Sequence, residues 1–399
     1  KITQKLILHR DIQLFDKYNI FDLEQRFVGY EHREFESNDD YAAVRLRQQI
    51  LSVQGKLSGF GRVLGSLFQY RKFSAGGFYW TPNTDEINLA LFSFREIDLK
   101  NFTLQNSFRY EMLSVLPIVS EVLFSNFDKS LVKDRTFHLG SAMLTLLKDW
   151  NHWALSTSAM YTQRAPGIED LFSDGPHLGS YSYEIGQPNL DLESTLGFEI
   201  STKYEKNKFS SSVTAFNNYS PNYHLFSKIG NGYVPGADWI EWGSGSTGWL
   251  YKYQMKGVEA NISGLEFDLS YKVNNATFSV DYSTVIGEDI TASMPLSYMP
   301  ASKARGRFSF KGKNNLSYTF QAVKGFDQKR LGQFEDQTDG YICVDLFGSY
   351  RINSRKGSHK IIFQIDNIFD QIYYNHLSRI KSIMPETGRS ATLQYRFFF

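Results

Sequence analysis

Apolar and polar residues alternate with a period of two over much of the chain. Leu265, Phe267, Leu269, Tyr271 and Val273 alternate with Glu266, Asp268, Ser270 and Lys272. The same period recurs in Ala276, Phe278, Val280 and Tyr282 against Thr277, Ser279 and Asp281. It returns in Ile361, Phe363 and Ile365 against Lys360, Gln364 and Asp366. Successive side chains of a strand point to opposite faces, so each run has one oily and one wet face. The pattern predicts an all-β, antiparallel fold. Several runs exceed the roughly five or six residues usual in soluble sheets. Residues 251–273 read as one strand, with a kink expected at Gly257 or Gly264. Crossing a bilayer takes about 9–11 tilted residues, and any excess projects above it.

The connections sort by length. Short polar turns are expected near residues 16–19, 98–101, 148–151, 206–208, 274–275 and 313–315. Long loops are expected near 74–86, 113–135, 163–192, 220–250, 287–302, 326–338 and 371–390. Short turns on the periplasmic side and long loops outside are the habit of bacterial outer-membrane barrels. A β-sandwich has no reason to sort its loops this way. The spacing gives about 17 strands. Single-chain bacterial barrels have even strand numbers. The sequence therefore predicts one barrel domain over 1–399 that lacks an odd number of N-terminal strands, its first strand an exposed edge.

Composition agrees. Aromatics are 16% of the chain, with 33 Phe and 24 Tyr against 10 Pro and 1 Cys, which favours strands and excludes an internal disulfide. Cys343 reads as a small packed side chain. The net charge of +1 carries no nucleic-acid footprint. No apolar run reaches the length of a transmembrane helix. The mean hydropathy of −0.36 fits a barrel whose lipid-facing and lumen-facing residues average out. Lys303, Arg305, Arg307 and Ser309 alternate with Ala304, Gly306, Phe308 and Phe310. A lipid-facing cation costs about 2–4 kcal/mol at mid-membrane, so the basic face is expected to line a wet lumen.

Two segments resemble the TonB-dependent receptors, in particular the branch that contains the zinc-uptake receptors. The first runs from Arg164-Ala-Pro to His177, with Tyr183-Glu-Ile-Gly186 and Asn189-Leu-Asp-Leu-Glu193. The second comprises Asp366-Asn-Ile-Phe-Asp370, Tyr373, His376, Pro385-Glu-Thr-Gly-Arg389 and the terminal Phe399. The resemblance implies a 22-stranded outer-membrane barrel with an N-terminal plug and a segment that engages the TonB energy complex. On that reading the plug, the TonB segment and the first strands lie outside this chain. The resemblance also makes Tyr395, Phe397 and Phe399 a sorting signal for the barrel-assembly machinery. It implies active uptake of a small molecule or metal complex, with no resident cofactor.

Candidate ligand contacts follow from the outer loops. Arg164 reaches a plug carboxylate or an anionic ligand, or else anchors its own loop. His177, with Tyr181, Tyr183 and Glu184, contacts a metal or ligand, or else the loop packs on its own aromatics. Pro166 is expected to end a strand, Glu169 to Phe172 to form a helical turn, and Gly175-Pro176 to be a turn. His224, placed in the 220–250 loop, is the one candidate partner for His177. Tyr219, Tyr223, Phe226, Tyr233, Trp239, Trp242 and Trp249 suit sugar or siderophore faces, a self-packed loop or an aromatic belt. The eight His form no close pair or tract, a departure from a zinc receptor that leaves no metal site to name. Asn and Asp of 366–370 suit backbone capping. Ala391, Leu393, Tyr395, Phe397 and Phe399 share the lipid face, with Thr392, Gln394 and Arg396 inward and Phe398 out of phase.

No G-x-S-x-G elbow, H-E-x-x-H pair or G-x-G-x-x-G loop argues for an enzyme. Active uptake of an iron–siderophore or other metal complex is the leading expectation. The rivals are a passive porin and a glycan or cobalamin receptor.

Overall fold

The computed structural model describes residues 2–14, 18–35, 42, 44–77, 81–119, 128–177, 182–229, 239–241, 249–312, 315–333, 335–378, 380–381 and 384–399. The chain opens with β1 (Ile2–Leu14), β2 (Tyr18–Glu34), β3 (Val44–Gly59) and β4 (Arg62–Gly77). Then come β5 (Thr84–Leu99), β6 (Phe102–Pro117), β7 (Arg135–Trp150) and β8 (Trp153–Arg164). A short helix, α1 (Ile168–Phe172), precedes β9 (Asp174–His177) and β10 (Ser182–Ile185). The chain resumes with β11 (Glu193–Lys206), β12 (Phe209–Lys228), β13 (Trp239–Glu241) and β14 (Trp249–Val273). It ends with β15 (Ala276–Asp289), β16 (Met294–Pro295), β17 (Lys303–Lys311), β18 (Leu316–Gly325), β19 (Tyr341–Ser354), β20 (Gly357–Asp366) and β21 (Ser390–Phe398).

Strands β1 to β8 pair each with the next, antiparallel throughout. The wall continues through β11, β12, β14, β15 and β17 to β21. Seventeen strands thus build it among the described residues, as the loop spacing predicts. Strand β14 runs unbroken through Gly257 and Gly264. The irregularity expected there falls instead on its partner, where the register of β12 shifts between Ser220 and Tyr223. That bulge takes up Pro221, which has no N–H for a ladder.

Turn chemistry explains the short connections. Asn151, Asn207, Asn274 and Asn315 all take positive φ, the left-handed conformation that Asn tolerates and tight hairpins need. Phe60 (φ 47) and Gly61 (φ 70) make a further two-residue turn, and a short turn also joins β19 to β20. Neither turn is among those expected from the sequence, nor is the connection between β2 and β3.

The two faces differ as the alternation requires. Outward positions such as Leu64, Phe68, Leu89, Leu91, Phe108, Leu144, Phe198 and Phe278 leave large apolar surface exposed. Inward positions carry polar ladders. Arg305 Nε donates to Asp281 Oδ1 at 3.0 Å and Arg307 Nη2 to the same oxygen at 3.1 Å, so the predicted basic face does look inward, onto a carboxylate. Gln321 extends the row to Asp345 at 3.1 Å. In β21 the register sets Tyr395 opposite Ile361 and Leu393 opposite Phe363. Phe398 stays in the strand, and the Arg351 guanidinium lies 5.5 Å over its ring. No helix among the described residues is long and apolar enough to cross a membrane.

Candidate functional site

The main hydrophobic core lies within the outer end of the wall, built around the segment after β8. Pro166 follows that strand's end at Arg164, as expected of a residue that cannot extend the ladder. Gly167 N–H then donates to Asp170 Oδ2 at 2.9 Å and starts α1, the predicted helical turn. Its Ile168, Leu171 and Phe172 are buried, Phe172 to 1% exposure. They share one cluster with Phe73 of β4, Val115 of β6, Phe137 and Leu139 of β7 and Met255 of β14. These side chains come from around much of the wall, each near a long connection. The segment therefore reaches inward across the mouth.

Its return limb is fixed by backbone contacts. Gly186 N–H donates to Ser173 O at 2.7 Å and Gln187 N–H to Asp170 O at 2.8 Å. A Cβ on Gly186 would sit 2.6 Å from the Leu171 carbonyl carbon, so only glycine fits this approach. Arg135 Nη1 donates to Pro188 O and Leu190 O at 2.8 and 2.7 Å. Between the two limbs, β9 and β10 form an antiparallel ribbon, and β10 joins β14 in parallel. This corrects the expected turn at Gly175-Pro176, which are mid-strand residues of β9. Among the described residues strand β9 pairs with β10 alone, and its other edge tolerates a proline.

The predicted contact residues divide into two groups. Arg164 Nη2 donates to Glu193 Oε2 at 2.8 Å, with Asp170 Oδ2 3.6 Å from its Nη1, which is the anchoring arrangement. His224 lies in β12, not in a loop, and is 7% exposed. Its backbone N–H donates to Glu193 Oε2 at 2.9 Å and its Nε2 meets Asp191 O at 2.8 Å. His224 thus belongs to the Arg164 network. His177 instead meets Glu184, Nδ1 to Oε1 3.2 Å, and Ser182 Oγ donates to the same oxygen at 3.0 Å. Tyr183 hydroxyl donates to Asp174 Oδ1 at 3.2 Å. Tyr181, Tyr233 and Trp242 lie outside the described residues. Trp239 is in β13 and Trp249 begins β14. Tyr223 and Phe226 are half-buried strand residues packed against buried clusters. Among the described residues no three His, Cys, Asp or Glu side chains gather as metal ligands.

Two ionisable groups of the outer segments stand out beyond those expected. Glu169 of α1 is half-buried. Burial pushes its carboxyl above the ordinary range, with Asp170 and Glu86 nearby pushing the same way and Arg71 opposing. Glu335 joins three connections at once. Its Oε1 accepts from Tyr298 N–H at 2.6 Å and its Oε2 from Gly332 N–H at 2.7 Å, and His376 Nε2 lies 3.5 Å away. Thr338 bonds His376 Nδ1 at 2.8 Å, and Lys381 Nζ donates to Thr338 Oγ1 at 2.9 Å. Burial raises the Glu335 carboxyl, but the His376 and amide hydrogen bonds outweigh it and hold the group below its usual value. His376, taken from the sequence as a motif residue, here latches the outer connections.

Comparison with known proteins agrees with this architecture. A family profile described as "TonB dependent receptor-like, beta-barrel" matches residues 5–368. The heme/hemopexin utilization protein C of Haemophilus influenzae is 25% identical over 321 residues, 72% of this chain and 42% of that protein. The chain thus spans about two-fifths of the length of the curated relatives it matches. Among solved structures, the copper transporter OprC superposes with a TM-score of 0.80 at 16% identity, over 100% of this chain and 65% of that one. The hemophore receptor HasR of Serratia marcescens gives 0.69 at 14%, over 100% and 65%. The ferric citrate transporter FecA gives 0.72 at 13%, over 99% and 61%. At such identities these likenesses show the fold. The chain belongs to the TonB-dependent receptor β-barrel family.

Proposed function

We propose that the protein containing this chain takes up a scarce iron complex, a siderophore or haem, by TonB-driven transport across the outer membrane. On this reading the chain is the C-terminal part of the receptor barrel, and sequence beyond it supplies the plug, the TonB-engaging segment and the remaining wall. The observation that carries the proposal is the folded layer across the mouth. A ligand arriving from outside meets a rigid surface built on α1 and the β9–β10 ribbon, as capture before energised passage requires. A passive pore gains nothing from filling its mouth. The curated relatives, named for haem and hemopexin use, favour an iron complex over a glycan or cobalamin.

His177 is the contact residue we assign to that ligand. Its ring is partly exposed, and the buried Glu184 carboxylate orients it, the arrangement that fixes an imidazole for a metal centre. Arg164 and His224 position the loop from behind. The test is uptake by cells carrying the full-length receptor, offered labelled haem, ferric siderophores, zinc and cobalamin in turn, with TonB intact or deleted. The expected result is accumulation of one iron complex only with TonB intact, reduced about 10–100-fold by His177→Ala. Uptake that survives loss of TonB would overturn the transport reading. Uptake unaffected by His177→Ala would remove that residue alone.

A further inference from the structure

The bulged end of β12 grips the return limb of the mouth layer. Asn222 Nδ2 donates to Asp191 O at 3.2 Å and to Leu192 O at 3.0 Å. His224 N–H donates to Glu193 Oε2 at 2.9 Å, and its ring Nε2 meets Asp191 O at 2.8 Å. Bulges re-aim side chains, and the register shift between Ser220 and Tyr223 falls where these two residues meet the limb. The neighbouring strand leaves room for the grip. A Cβ on Gly257, which pairs with His224, would collide with Asn222 Oδ1.

The imidazole fits this place in one protonation state. A carbonyl oxygen only accepts, so Nε2 carries the hydrogen and Nδ1 keeps a bare lone pair. Nδ1 is buried with no hydrogen-bond partner among the described residues, and the side chain has no exposed surface. The groups facing it are Arg164 at the end of β8, Asp170 of α1, Asp191 and Glu193 of the limb and Tyr223 of β12 itself, while β14 presents Gly257. Glu193 Oε2 lies 4.0 Å from Nδ1 and already accepts from Arg164 Nη2 at 2.8 Å and from the His224 amide. A proton on Nδ1 would thus enter a buried site beside a guanidinium, facing a carboxylate that is already engaged. Burial, with Arg164 adding to it, holds the imidazole below its ordinary value of 6.5, against the pull of Asp191, Glu193 and Asp170.

We propose that the bulge of β12 is an acid-released clamp: protonation of His224 frees the return limb and so loosens the layer across the mouth. Released into water, the imidazole takes up a proton readily; seated in the clamp it does not. The clamp's contribution is complete above pH 6.5 and is lost as pH falls from there through the lowered value. Glu169 works in the opposite sense, because burial raises its carboxyl and the folded segment binds that proton the more readily. Glu335, held below 4.5, titrates beneath this window. The proposal concerns the unliganded receptor and stands whichever complex is transported.

The test is amide hydrogen exchange, read by mass spectrometry on the full-length receptor in nanodiscs at about pH 7.5 and about pH 5, each scaled to the free-amide rate at that pH. The reporters are the amides of Gly186, Gln187 and Leu190, which donate within the layer. Their protection in wild type is expected to fall at least about fivefold on acidification, with the wall strands unchanged. His224→Gln keeps a neutral side-chain N–H for the Asp191 carbonyl and takes up no proton, so its protection should change less than about twofold. Asn222→Ala removes two hydrogen bonds and leaves the imidazole, so it should be less protected at both pH values and keep the fall. Equal wild-type protection at the two pH values would overturn the proposal. So would a His224→Gln receptor that keeps the wild-type fall, because another group would then be the sensor. Loss of the fall in Asn222→Ala has the same meaning, since loosening alone would then account for the glutamine variant. Should His224→Gln fail to assemble, the midpoint of the wild-type fall decides: it is expected below pH 6.5, and a midpoint above that value sinks the clamp.

Discussion

Phe172 is the largest fully buried side chain among the described residues, and it packs in one cluster with residues of β4, β6, β7 and β14. Removing a buried phenylalanine ring costs about 3–5 kcal/mol through lost transfer energy and the cavity left behind. Phe172→Ala is therefore expected to release residues 165–192 while the wall persists. Limited proteolysis would then cut that segment in the variant and spare the wild type, with heat-modifiable migration of the barrel unchanged. Gly186→Ala tests the same packing by overfilling. The added methyl meets the Leu171 carbonyl carbon at 2.6 Å, and a shift of either limb to admit it costs about 1–3 kcal/mol. Equal protease resistance in both variants would show that the mouth layer is held by other contacts. Much of this was legible in advance: Pro166, the helical turn after it and Arg164 as an anchor all follow from local chemistry. The mid-strand Gly175-Pro176 was not, because turn propensity is a local prior and the ribbon with β10 is a tertiary pairing.

Among the elements, the strands were the readable part and the connections were not. Period-two alternation is enforced along every wall strand by the contrast between lipid and lumen, so it survives in the sequence at Leu265–Val273 as it does at Ile361–Ile365. His224 was misplaced for a specific reason: a long loop was expected from residue 220, whereas a bulge between Ser220 and Tyr223 lets β12 take up Pro221 and continue to Lys228. The Glu335 latch left no local signal, since Thr338 and His376 are 38 residues apart. It has a pH consequence. Glu335 is held below the ordinary glutamate value of 4.5, so it binds a proton less readily in the folded loops than when released. Its contribution is complete above that value and is lost as pH falls through the lowered one. Acidification from about pH 5 to pH 3 should therefore lower the protection of the Gly332 and Tyr298 amides, measured against the free-amide exchange rate at each pH, in the wild type, where both donate to this carboxylate. Glu335→Gln should be less protected than wild type at neutral pH, and its protection should change little across that range. A variant with wild-type protection at pH 7 would rule out the latch.

At the scale of the whole molecule, the decisive assignment is which face of the wall meets lipid. Leu269 and Ser270 of β14 are adjacent in sequence and opposite in direction. Leu269 pairs with Ser211 and Val280 on the outward face, while Ser270 lines a polar recess with Ser210, Ser279 and Arg307. Both lie near the middle of the span, about five residues above the Asn274 turn at roughly 3.3 Å per tilted residue. An arginine at the bilayer midplane on the lipid face costs about 2–4 kcal/mol, because its charge loses water and gains no partner. Ser270→Arg puts the same side chain into the wet interior, where hydration persists and only repulsion from Arg307 opposes it. Leu269→Arg should thus lower the folding stability of the receptor in lipid vesicles by about 2–4 kcal/mol in urea titrations. Ser270→Arg should stay within about 1 kcal/mol of wild type, the range of substitutions made in water. Equal penalties would mean that β14 does not divide lipid from lumen. The reverse order would turn the wall inside out, and with it the inward place of the Arg305–Asp281–Arg307 ladder.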